Sequence, residues 1–151
     1  MGKSPFTIMI PASHKITITA KTSALYRQRV VLTDMLKAEA YDMMGQGEDN
    51  RLMTIQNHEP GSANVLETAE NFVLPTIAHP MKPYREVEVV CSFLRPGESE
   101  DDWHPSEVWV DGPEPREEVD LGLDHKWVVT TEDGADDDRN DTVVEIVAKR
   151  D

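Results

Sequence analysis

An all-β fold, an antiparallel β-sandwich of jelly-roll or Greek-key type, is the class this sequence predicts, and three observations lead there. Short stretches rich in β-branched and aromatic residues recur along the chain: HKITITAK, RQRVVLT, REVEVV, EVWV, KWVVTT and TVVEIVA. Several of them alternate apolar and polar side chains with period two, the pattern of a strand with one buried face. Turn chemistry rich in Gly, Pro, Asp and Asn separates them, as in a sandwich of short strands.

In HKITITAK, Ile16, Ile18 and Ala20 share one face, Thr17 and Thr19 the other, and RQRVVLT follows after a short break. The stretch MLKAEAYDMMGQG is the exception: by propensity its Leu, Ala, Glu and Met favour a helix. REVEVVCSF places Val87, Val89, Cys91 and Phe93 on one face, which makes Cys91 a buried, inert thiol. It is the only cysteine, so an intrachain disulfide is impossible. RPGESEDDWHPSEV and DGPEPREEVDLGLD read as exposed acidic loops around a short strand at 107–110. Trp109 and Trp127 lie in strand patterns and are expected in a core or an interface. His14, His58, His79, His104 and His125 show no ligand spacing and read as surface residues.

The length of 151 residues fits a single domain, 1–151. A formal charge of -14, with Lys and Arg scattered, argues against a nucleic-acid partner, because a phosphate backbone requires a basic patch. No apolar run is long enough to insert in a membrane, and MGKSPFTIMIPAS lacks the apolar centre of a signal peptide. The expected location is cytoplasmic, or exported without a classical signal.

The most informative stretch is EDGADDDRND, residues 132–141, with six carboxylates and one arginine in ten positions, directly before TVVEIVA. Like charges about 4 Å apart repel by a few kcal/mol at a protein surface, so such a cluster calls for a cation. Oxygen donors at alternate positions, Asp136, Asp138 and Asn140, bracketed by Glu132 and Asp141, suit calcium, which takes six to eight oxygens in irregular geometry. The spacing is not that of an EF-hand: counted from Asp136, the Gly position holds Asp141 and the closing Glu position holds Val147. With no Cys or convergent His nearby, zinc is disfavoured. The charge excess favours two ions sharing carboxylates over one. A solvated acidic turn is the bland alternative.

EDGADDDRND followed by a short apolar strand resembles the calcium-binding signature E-D-G-T-D-N-D-Y-N-D of the bacterial fucose/mannose-binding lectins of the Pseudomonas type, which also stands ten residues from the terminus, as Asp141 does from Asp151. IMIPASHKITITAKTS is similar to the first strands of that family, and GQGEDN to its G-Q-S-T-N-N turn. The resemblance implies that KAEAYDMM is a strand, against its helical composition, and that an acidic insertion occupies roughly 95–124.

It further implies that Glu132, Asp136, Asp138, Asn140 and Asp141 hold two adjacent calcium ions, with the main-chain carbonyl of Ser23. The last ligand is the terminal carboxylate, here on Asp151, supplied by the neighbouring subunit. Ten extended residues span about 33 Å, which agrees with an exchange of C-termini in a homodimer, a tetramer being a further option. A fucose- or mannose-type monosaccharide would coordinate both ions through its hydroxyls, with Asp133 accepting a hydroxyl proton and Ala135 at the rim. The loop that sets sugar preference in the family is here Ser23, Ala24, Leu25 and Tyr26, where Tyr26 either stacks on the sugar or blocks it. Trp103, in a loop, is a further candidate for stacking on a sugar.

Calcium-dependent lectin activity without catalysis is the expected function. The competing classes are a β-sandwich stabilised by calcium, structural or binding a protein partner but not sugar, an acidic mimic of nucleic acid, and a calcium-dependent hydrolase, for which the sequence names no separate general base.

Overall fold

The computed structural model describes residues 2–36, 38–56, 67–74, 77, 81–132 and 141–150. Among these there is no helix, and hence none long and apolar enough to cross a membrane. Twelve strands form in chain order: β1 (Gly2–Lys3), β2 (Phe6–Pro11), β3 (Lys15–Asp34), β4 (Glu39–Leu52), β5 (Thr54–Ile55), β6 (Glu67–Thr68), β7 (Phe72–Val73), β8 (Tyr84–Leu94), β9 (His104–Pro105), β10 (Glu107–Asp111), β11 (His125–Glu132) and β12 (Thr142–Lys149). All pairings are antiparallel, and they join the strands into one curled sheet. The all-β expectation holds. The helix that composition favours over residues 35–47 does not, and the strand that the resemblance implies does: β4 occupies most of that stretch, because Tyr41 and Met43 pair across to Leu32 and Val30 and Met43 joins the core. Tertiary pairing overrides a weak local propensity.

The two strands read as HKITITAK and RQRVVLT are one, β3, whose register against β4 shifts twice between Thr22 and Gln28. Its first half lies beside β12, and its second half lies between β4 and β8. A strand shared in this way carries the chain from one part of the curled sheet to the other, and its irregular middle is where it bends.

Side chains line up in rows across β11, β12 and β3. Trp127, Ile146 and Ile18 form one row, and Val129, Val144 and Ala20 the next, all fully buried in a single core cluster with Ile8, Leu32 and Val89. Burying an aliphatic or aromatic side chain of this size stabilises by about 1.5–3 kcal/mol. Trp127 is thus a core residue, as its strand pattern predicts, whereas Trp109 is partly exposed.

Cys91 is buried as expected, and desolvation pushes its thiol up to about 12. His14 departs from the surface reading. It is buried, its Nε2 lies 2.8 Å from the Leu123 carbonyl, and its ring stacks on His125. Asp34 and Arg85 form a fully buried ion pair, Oδ2 to Nη2 3.0 Å, and Asp34 Oδ1 also accepts the Leu36 amide. That carboxylate fixes the β3–β4 turn.

Candidate carbohydrate and metal site

The inward faces of β3, β11 and β12 change character near Glu132 and Asp141. The row beyond Val129–Val144–Ala20 is Thr131–Thr142–Thr22, all buried. On the second half of β3 the inward series Leu32, Val30 ends in buried Gln28. Apolar rows therefore give way to hydroxyls and an amide at one end of the sheet. Buried polar groups persist where hydrogen bonds satisfy them: the side chains of Thr22, Thr142 and Gln28 join a lattice here, whereas Thr131 takes part through its main-chain carbonyl and its hydroxyl has no partner among the described residues.

Asp141 is its centre. The Asp141 carbonyl accepts from Thr22 Oγ1 at 2.8 Å and from the Ser23 amide at 3.0 Å, while the Asp141 amide donates to the Thr131 carbonyl at 3.2 Å. Thr142 Oγ1 donates to Gln28 Oε1 at 3.2 Å, and Gln28 Nε2 donates to the Tyr26 carbonyl at 3.2 Å. The lattice clamps the irregular part of β3 to the end of the β11–β12 hairpin. Residues 119 apart in sequence, Thr22 and Asp141, become neighbours.

The β4 side is closed by GQGEDN, which is not a turn as the resemblance implies but an irregular part of β4 opposite the register shifts of β3. A Cβ at Gly45 would stand 2.7 Å from Thr22 Cγ2, so only glycine lets Thr22 keep its position. Gly47, Asp49 and Asn50 have positive φ, a conformation that Gly, Asp and Asn adopt at least cost. From this stretch Gln46 Nε2 donates to the Leu25 carbonyl at 2.8 Å.

Of the residues assigned from sequence, Glu132 ends β11 and Asp141 immediately precedes β12; both are buried carboxylates at the two roots of the acidic loop. Ser23, Ala24, Leu25 and Tyr26 lie in the irregular stretch of β3 bonded to Asp141. Asp133, Ala135, Asp136, Asp138, Asn140 and Asp151 fall outside the described residues. Among the described residues no group of three His, Cys, Asp or Glu is placed to hold a metal ion. Leu25 is 69% exposed, whereas Ala24 is buried. The Tyr26 ring stacks on Phe93, with centroids 6.1 Å apart, rather than standing alone at the rim.

Thr22, Gln28, Gln46, Thr131 and Thr142 do not figure among the sequence candidates. A signal for them exists: each of the threonines, and Gln28, continues an apolar period-two series in phase, at 16–18–20–22, 127–129–131, 142–144–146–148 and 28–30–32. A polar residue at an inward position next to a ligand-like loop marks a support.

The all-β fold and the polar clamp at Asp141 fit the class of β-lectins, and comparison with known proteins gives the family. The chain matches the fucose-binding lectin II (PA-IIL) family over residues 8–150 and belongs to it. Among curated proteins none matches significantly. Three solved structures share the fold. The C-terminal domain of the BC2L-C lectin from Burkholderia cenocepacia is 18% identical, with a TM-score of 0.55 and 97% of each chain covered. The Chromobacterium violaceum lectin CV2L, solved with α-methyl-fucoside, is 16% identical with a TM-score of 0.55 and 93% of each chain covered. The high-affinity mannose-binding lectin of Ralstonia solanacearum is 16% identical with a TM-score of 0.52, again over 93% of each chain.

Proposed function

We propose that this chain binds a fucose- or mannose-type monosaccharide in a calcium-dependent manner, without turnover, at the acidic loop between β11 and β12. The observation that carries the reading is the clamp at Asp141: two buried carboxylates, Glu132 and Asp141, root an acidic loop, and a polar lattice holds the Ser23–Tyr26 stretch against it. The family supports the sugar, and the donor set supports the metal. Carboxylates and main-chain carbonyls are hard oxygen donors, which suit calcium and not zinc.

The proposed holders of two calcium ions are the Ser23 carbonyl, Glu132, Asp136, Asp138, Asn140 and Asp141. When bound, calcium would supply coordination positions that vicinal sugar hydroxyls fill. The chain's own part is orientation. Asp133 accepts a hydrogen bond from a sugar hydroxyl, Ala135 leaves room at the rim, buried Ala24 packs beneath this stretch, and exposed Leu25 offers an apolar contact. Tyr26, engaged with Phe93, acts as a brace for this stretch.

A homodimer is part of the proposal. β12 runs from Thr142, opposite Thr22, to Lys149, opposite Lys15, so it leads away from the site by about 23 Å. In the proposed pair the Asp151 carboxylate of one copy serves the site of the other, as an isologous arrangement allows.

Calorimetry on chelator-treated protein tests this. Two calcium ions should bind, followed by sugar heat from methyl fucoside or mannose that chelator abolishes and that Glu132→Gln and Asp141→Asn both weaken strongly. Calcium binding without sugar heat would leave a calcium-stabilised structural or protein-binding module, and no calcium binding would overturn the reading.

A further inference from the structure

A second concave surface lies on the outer face of the sheet, over the paired strands β3 and β8. Its volume is about 390 Å³, within the range of about 300–1,000 Å³ typical of small-ligand sites. Val31 and Val90, opposite one another in register, make an apolar floor, with Arg29 and Ser92 as the next pair along. Pro5, Trp103 and Pro105 complete the lining.

The polar groups here are fixed before any ligand arrives. Arg29 is held by a two-point bond to Asp42, Nε to Oδ1 2.9 Å and Nη2 to Oδ2 2.8 Å. Trp103 rests against two guanidinium groups, with Arg27 Cζ 5.6 Å and Arg29 Cζ 5.5 Å from its ring centroid. Arg27 is itself paired with Glu100, so the whole 100–105 segment is anchored to β3. Ser4 Oγ accepts the Cys91 amide at 2.7 Å, and a hydroxyl that accepts one bond keeps its own hydrogen to donate.

The charge balance selects the ligand class. Arg29 is the one charged side chain among the described residues lining the surface, and Asp42 neutralises it, so the site has no net pull on an anion. An indole, a valine floor and two prolines meet an apolar C–H face, while a guanidinium and serine hydroxyls meet a hydroxyl rim. A neutral pyranose ring has both.

We propose that the groove between Pro5 and Trp103 is a second carbohydrate site, which takes a neutral pyranose by stacking and hydrogen bonding and needs no metal. It shares no residue with the acidic-loop site. Calcium therefore separates the two in a single experiment.

The test follows the indole N–H resonance of Trp103, assigned with Trp103→Phe, in full-length protein kept in excess chelator. Methyl α-mannoside, methyl α-fucoside and methyl β-galactoside are titrated separately. The expected result is a saturable shift with at least one of them, accompanied by shifts of the Val31 and Val90 amides; read from those amides, binding weakens by roughly tenfold or more in Trp103→Ala, which loses the stacking surface. Val90→Phe, which fills the floor from an outward position, should abolish the shift while the dispersion of the spectrum shows an intact fold. Absence of a saturable shift with all three sugars, or a shift that persists in folded Val90→Phe, overturns the proposal. Sugar binding seen only with calcium supports the acidic-loop site and refutes this one.

Discussion

Thr22→Val tests whether the clamp at Asp141 sets the properties of the acidic loop. Valine keeps the shape of threonine and replaces the hydroxyl that donates to the Asp141 carbonyl at 2.8 Å. That carbonyl also accepts the Ser23 amide at 3.0 Å, so it is not left bare. The cost is therefore the net value of one hydrogen bond, about 0.5–1.5 kcal/mol, and not the larger penalty of an orphaned buried acceptor. For a chain of this size about 1 kcal/mol lowers Tm by roughly 2–4 °C. If the bond also holds Asp141 in its liganding position, the same 1 kcal/mol should appear as about fivefold weaker calcium binding. Thermal unfolding with and without chelator, together with calcium calorimetry, reads both quantities. Thr142→Val, which removes the bond to Gln28 and leaves Asp141 untouched, is the control and should lose stability with a smaller change in calcium affinity. A Thr22→Val protein with reduced stability but wild-type calcium affinity would refute the coupling of clamp and site.

Three further outcomes follow from the structure. Asp34→Ala should cost about 3–5 kcal/mol in urea unfolding, because it strands the Arg85 guanidinium, whose side chain is 1% exposed; the double replacement Asp34→Leu with Arg85→Met should recover most of that loss. The Glu98 carboxyl is held below its ordinary value, first by the hydrogen bond from His104 and then by the Arg95 amide. Its contribution is present above the unfolded value of about 4.3 and lost as pH falls through the lower folded value, so acid titration by NMR should release protection of the Arg95 amide there, and His104→Ala should move that release to higher pH. Cys91, buried with its thiol pushed up to about 12, should resist a thiol reagent at pH 8 in native protein and react rapidly in denaturant; fast native labelling would contradict its packing.

How far residue patterns reach is clearest at particular places. Period-two alternation placed Ile16, Ile18 and Ala20, and Val87, Val89 and Cys91, on inward faces, and the structure buries all six. Over 35–47 residue propensity points to a helix, because Ala, Leu, Glu and Met are judged one residue at a time, while the strand exists through its partners Val30 and Leu32. His14 looked like a surface residue because nothing local reveals that residues 123 and 125 fold over it.

The all-β class, the buried cysteine and the calcium-like spacing of the acidic stretch are legible in residue order, since each depends on local alternation or on a few adjacent residues. Folding alone brings Ser23 and Thr22 to Asp141, sets threonines from three strands in one row, and packs Tyr26 on Phe93 while Leu25 faces solvent. The cause is register. Which residues of distant strands stand opposite one another is set by the summed pairing and burial of whole strands, and a shift of one residue would turn the threonine row to the other face of the sheet.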